Sequence, residues 1–418
     1  MKKLFTSLAL ALSLWGVQNV SAQDVITLGV NDSIGYSLKN YAGTATDVTV
    51  VIPSGYTSPE YNGGKTIILT AIPTVIKNLT IQGDGSNPVV LCKNIDFPAS
   101  SLTSFKVKNL TLKGLADGPT TLSLGNYLIA STNVAVPTVT IEGCTLANFR
   151  GIMRMKTGTN FTNVTIDNCI IRNTGSYCLL VTDAGSTLGN YTIKNSTVYG
   201  TNTSLFGVSA SLPTTFTISD CTFDNIIFTA SKYFIDFGTA TTSTTLTISN
   251  TIIGKTANTT VKGIRGGTGF TYTVNNSYTT SDCAMGTAIT GFTAYANTAT
   301  TLFTTPTTFD GAAATATVGC YKIKDASFGA IAGDPRWLNC NCSDYIHTAV
   351  ISPKASSTMI TYNGTEILLS ETQDIAIYGV TGQLLKSAKQ VNQLSVANLP
   401  QGIYAAKAGM TVQKFIVR

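Results

Sequence analysis

A short phrase returns along the first three-quarters of the chain, and its spacing restricts the fold more than any local propensity does. It reads Lys77-Asn78-Leu79-Thr80-Ile81, then Lys108-Asn109-Leu110-Thr111-Leu112. Fuller copies are Thr140-Ile141-Glu142-Gly143-Cys144-Thr145-Leu146 and Thr165-Ile166-Asp167-Asn168-Cys169-Ile170-Ile171. The phrase recurs from Thr192 to Val198, Thr217 to Phe223, Thr247 to Ile253 and, more weakly, Thr273 to Tyr278. Its Cys/Ser/Thr position falls at 144, 169, 196, 221, 251 and 277, in steps of 25, 27, 25, 30 and 26. A unit this short cannot cover its own apolar face, so units must stack. Val164 and Ile166 point one way and Thr165 the other, the alternation of a strand. Asn recurs at 78, 109, 168, 195, 250 and 276, where the chain must turn; its side chain tolerates left-handed backbone and bonds along a stack. The pattern predicts an all-β chain: a right-handed parallel β-helix with an asparagine ladder. Cys144, Cys169 and Cys221 share one repeat position and are expected to form a column of small core side chains.

The chain has 418 residues, 11% of them charged, with a formal net charge of +6. Thr, Asn, Gly and Ser fill the outward positions, which suits flat solvated sheet. Lys and Arg form no cluster, so nucleic acid is not an expected partner. Lys2 and Lys3 precede an apolar run from Leu4 to Val17, and Val20-Ser21-Ala22 offers small residues before a cut ahead of Gln23. Residues 1–22 therefore read as a signal peptide, too short in its apolar part to span a bilayer. The expected location is secreted or outer cell surface, not integral in the membrane. Nine cysteines cannot all pair. Cys340-Asn341-Cys342 is not a zinc spacing and His347 is the only histidine, so neither a metal nor another cofactor is expected.

The β-helix is expected over 23–342, with 24–46 capping its lower end, irregular coils over 284–316 and a closing turn at Gly333-Asp334-Pro335-Arg336-Trp337-Leu338. Residues 343–357 read as a linker. Short alternating strands over 358–418, split by turns at 379–382 and 398–402, predict a small β-sandwich.

Two resemblances follow from these residues. Ile377-Tyr378-Gly379-Val380-Thr381-Gly382-Gln383-Leu384-Leu385, Leu399-Pro400-Gln401-Gly402-Ile403-Tyr404 and the ending Lys414-Phe415-Ile416-Val417-Arg418 resemble the C-terminal sorting domain of the Bacteroidetes type IX secretion system. That resemblance implies passage through the outer membrane by the type IX machinery. The opening Val51-Ile52-Pro53-Ser54-Gly55, the segment Leu79-Thr80-Ile81-Gln82-Gly83, the Ile-x-Asn-Cys phrases and Gly333-Asp334-Pro335-Arg336-Trp337 are similar to the pectate-lyase-like β-helix superfamily and, more narrowly, to its uncharacterised Bacteroidetes families. The superfamily hosts lyases, hydrolases, esterases and inert adhesins, so the resemblance carries fold more than activity.

Such enzymes hold substrate along one flat sheet. Here that sheet is expected at 151–155, 177–181, 205–209, 233–237 and 262–265. With Met153, Met155, Ile235 and Phe237 inward, Arg154, Phe234 and Asp236 are expected outward, with Arg265 one coil beyond Asp236. A calcium-dependent lyase needs several carboxylates on adjacent coils, and the sheet offers only Asp236. A hydrolase needs a second carboxyl that is not evident. Ile235-Asp236-Phe237-Gly238 resembles the strand that carries the nucleophilic aspartate of pectin methylesterases, which implies Asp236 as nucleophile and Arg265 as its orienting partner. Tyr177, Phe206, Tyr233 and Phe234 lie near the same sheet; the exposed ones are expected to stack on sugar rings, with Arg154 and Arg265 meeting uronate carboxylates. The expected function is binding of polysaccharide or host glycan without catalysis, through Arg154, Phe234 and Lys262. A polysaccharide lyase or carbohydrate esterase, and a structural surface spacer, are the alternatives.

Overall fold

The computed structural model describes residues 23–59, 66–99, 102–114, 126–209, 213–238, 244–285, 289–307, 319–338, 340, 342, 360–380, 383–408 and 411–417. The expected leader at 1–22 and linker at 343–357 lie outside them. The chain divides into two compact units, Met1–Ser352 and Pro353–Arg418.

In the first unit the repeated phrase winds a parallel β-helix. Three parallel sheets of ten, nine and eight strands run its length, and each full coil gives one strand to each. The first sheet starts with Gln23–Thr27 and Asp47–Ile52 and ends with Phe270–Asn275. Its rungs stay in register: Thr140 lies beside Thr165, Thr192, Thr217, Thr247 and Thr273 in turn. Outward threonines therefore form rows, while Ile141, Ile166, Ile193, Ile218 and Ile248 stack inside with no more than 1% exposure. Each such side chain removed from water contributes about 1.5–3 kcal/mol.

The corner after the first sheet explains the repeat. Asn109, Gly143, Asn168, Asn195, Asp220, Asn250 and Asn276 all sit at positive φ, between 43° and 62°. Asn, Asp and Gly are the residues that occupy this region at low cost. After Asn109 the next residue is Leu110; in the later coils it is the Cys/Ser/Thr position. It forms the expected buried column, and its role is more specific than filling space. Cys144, Cys169, Ser196, Cys221, Thr251 and Ser277 each donate to the carbonyl two residues earlier. Each of these carbonyls also accepts the corner amide of the preceding coil, so the small side chain supplies a second donor at the carbonyl's other lone pair. Asn78 is not part of this corner: it opens the strand Asn78–Gly83, opposite Asp47 and Ser104. The phrases at 77–81 and 108–112 match in letters but stand on different faces of the coil. A second row of left-handed residues, Asn148, Asn173, Gly200 and Asn225, lies at the far end of the second sheet's strands.

The ends differ from expectation in detail. Gln23–Thr27 is itself the first rung, and the cap is the short helix Ile34–Lys39, which buries Ile34 and Leu38. Residues 333–338 do not close the top. They run back along the flank of the second sheet, as a strap over its outer face. Phe303–Thr305 pairs antiparallel with Cys320–Ile323, and Cys320 is bonded to Cys342. Beneath the strap, outward residues of the second sheet are buried: Ile170, Tyr199 and Ile252 pack with Phe303, Tyr321 and Trp337 in a second apolar cluster.

In the second unit, 360–362, 366–379, 384–395, 402–408 and 411–417 make one antiparallel five-stranded sheet. The long strand Glu366–Gly379 bends at irregularities and pairs with three others, so a single curled sheet encloses Ile367, Ile377 and Phe415 instead of two separate sheets facing each other.

Candidate ligand-binding face of the third sheet

The third sheet includes Tyr127–Ser131, Gly151–Met155, Leu179–Val181, Phe206–Val208, Tyr233–Asp236 and Lys262–Arg265. Strict alternation fails at the start of the first five of these strands. Two successive side chains turn inward: Leu128 and Ile129, Ile152 and Met153, Cys178 and Leu179, Leu205 and Phe206, Phe234 and Ile235. The chain bends into the sheet there, and the bend rotates one extra residue to the core. Phe234 is consequently fully buried, its ring 5.1 Å from that of Phe223 and 6.1 Å from that of Phe206. The expectation that Phe234 faces solvent and contacts a ligand is overturned. The apolar doublet repeated in five successive coils is the signal that reveals the bend.

The outward row past the doublet reads Ala130, Arg154, Leu180, Gly207, Asp236 and Arg265, each beside the next. Arg265 grips Asp236 from the adjacent coil with two hydrogen bonds: Nε to Oδ1 at 2.7 Å and a terminal nitrogen to Oδ2 at 2.8 Å. The Gly238 amide also donates to Oδ1 at 2.9 Å. Those bonds to Asp236 raise the Arg265 pKa above its ordinary value, so the cation is secure. The guanidinium lies 4.7 Å from the Tyr233 ring centroid, and the Lys262 ammonium 5.3 Å from it. Tyr233, Asp236, Lys262 and Arg265 are therefore one cluster.

Arg154 belongs elsewhere. It pairs with Asp183 at 3.2 Å and lies three rungs from Asp236, about 14 Å at the spacing of parallel strands. Between the two pairs the outward row holds Leu180 and Gly207. Tyr177 lies over Gly207, where a Cβ would come within 2.7 Å of the ring, so glycine is required there. Burial raises the Tyr177 hydroxyl pKa, and the Asp236 charge adds to the effect. The esterase reading needs a second carboxylate beside Asp236, and the outward row supplies none.

The Cys320, Cys340 and Cys342 sulfurs lie within 4.8 Å of one another, but two of them are spent in the disulfide. Among the described residues no helix is long and apolar enough to cross a membrane.

The first unit defines a parallel β-helix protein. Residues 66–201, less than half of the chain, match the family described as a domain of unknown function, DUF4957. That stretch contains Arg154 and Asp183 and stops short of Asp236. No curated protein matches the chain.

Proposed function

We propose that this chain is a secreted or cell-surface β-helix protein that binds an acidic polysaccharide or host glycan along the third sheet, without turning it over. One observation carries the reading: an outer face on which Lys262 and Arg265 converge over Tyr233, with Tyr177 and Arg154 further along the same sheet. Guanidinium and ammonium groups recognise uronate or sulfate oxygens, and the wall between them admits an extended chain. Asp236 orients Arg265 in this reading. The second unit serves as a type IX sorting domain, which fits the turn and terminal motifs quoted above.

The test is calorimetric titration of the full chain with polygalacturonate and with heparin, at low and high salt. Binding that weakens at least tenfold in Lys262→Ala/Arg265→Ala supports the reading. No binding to any glycan favours a spacer. Unsaturated or de-esterified products that vanish in Asp236→Asn would replace binding by the esterase alternative, in which Arg265 holds Asp236 as nucleophile. Export of a reporter fused to residues 353–418, lost on deleting the last strand, checks the sorting role.

A further inference from the structure

The strap and the second sheet do not close on each other completely. Between them lies a cavity of about 150 Å³. Its apolar walls are Ile252, Phe303, Tyr321 and Trp337, and Ala330 and Ala332 leave the space open. Phe303 and Trp337 both meet the edge or face of Tyr321, at 5.2 and 5.7 Å between ring centres, which holds the aromatic wall rigid. A void of this size lined by apolar groups takes one six-membered ring.

Two charged side chains also line it. The Asp334 side chain is completely buried. It accepts from the Thr197 hydroxyl at 2.7 Å and the Arg336 amide at 2.9 Å, one bond to each oxygen. The Arg336 Nε also lies 3.9 Å from Oδ2, and Oδ1 retains a further lone pair for a ligand donor. The Lys322 ammonium donates to the Cys340 carbonyl at 3.2 Å and retains two donors. The cavity thus presents an acceptor, a cation and aromatic faces around space for one ring.

We propose that this cavity is a second binding site, separate from the third sheet, for a single-ring hydroxy acid. The ring lies against Trp337 and Phe303, a ring hydroxyl donates to Asp334, and the ligand carboxylate meets Lys322. Two sources share this chemistry: a free uronate sugar and an aromatic hydroxy acid.

Trp337 makes the test direct, because the only other tryptophan is Trp15. The full chain carrying Trp15→Phe is titrated with glucuronate and, separately, with para-hydroxybenzoate, following Trp337 emission and heat. A saturable response to glucuronate identifies the sugar source; a response to para-hydroxybenzoate alone identifies the aromatic one. The response weakens at least tenfold in Lys322→Gln, an exposed position that does not threaten the fold, and disappears in Ala332→Leu, which fills the space. Arg265→Ala leaves it unchanged, so failure of the third-sheet reading does not affect this one. No saturable response to either compound, or equal responses in Lys322→Gln and Ala332→Leu, overturns the proposal.

Discussion

The Trp337 indole nitrogen donates to the Thr197 hydroxyl at 2.7 Å, across 140 positions of sequence. The same hydroxyl donates to Asp334 at 2.7 Å, so one buried threonine anchors the strap to the second sheet. Thr197→Val keeps the shape and removes both bonds. The Trp337 indole and the Asp334 carboxylate each lose one buried bond, and losing such a bond costs about 1–3 kcal/mol. Urea unfolding followed by Trp337 emission should show a loss of about 2–4 kcal/mol. An unchanged midpoint would mean that this contact does not hold the strap.

Asn195 sits at φ +50°, and its amide donates to Asp167 on the coil below at 2.8 Å. Asn195→Ala and Asn195→Gly both lose that bond, but only alanine meets the left-handed backbone penalty, about 1–2 kcal/mol. Alanine should therefore be the more destabilising by that margin. Equal denaturant midpoints for the two variants would show that the corner conformation is not what selects asparagine.

Asp224 faces outward from the second sheet and is buried beneath the strap. Burial pushes its carboxyl up to about 7, although the Lys255 amide donates to it at 2.8 Å. Tyr321 hydrogen-bonds it and Asp282 adds a like charge nearby. A raised carboxyl favours the protonated folded state. Its contribution is complete below pH ~4, the unfolded value, and is lost as pH rises through about 7. Thermal melts between pH 4 and 8 should show this decline, and Asp224→Asn should flatten it. A wild-type slope that persists in the variant assigns the effect to another group.

The Cys320–Cys342 bond closes a loop with a sequence separation of 22 and fixes the strap to its antiparallel pair. Loops of this length gain about 2–4 kcal/mol from the crosslink. Cys320→Ser is made in a Cys340→Ser background, because the Cys340 sulfur lies within reach of both disulfide partners. It should lower stability by about that amount, and reducing agent should then have no further effect. A variant as stable as the oxidised parent would show that packing alone seats the strap.

The period of some two dozen residues was enough to specify a parallel β-helix. A stacked unit places residue i over its repeat equivalent whatever surrounds it, and the column from Cys144 to Ser277 follows directly. The Asp236–Arg265 pair was legible for the same reason, since one coil of offset brings them side by side. Three features were not. Asn78 and Asn109 share a phrase but stand on different faces, because register is set by neighbouring rungs and not by letters. Phe234 turns inward because the chain bends at the sheet edge, which period-two counting ignores. The strap reached the second sheet through Trp337–Thr197 and Arg336–Asn168, contacts between residues more than a hundred positions apart. Local periodicity carries no information about such contacts. They form because Ile170, Tyr199 and Ile252 leave an apolar patch on an otherwise polar wall, and only folding shows which segment covers it.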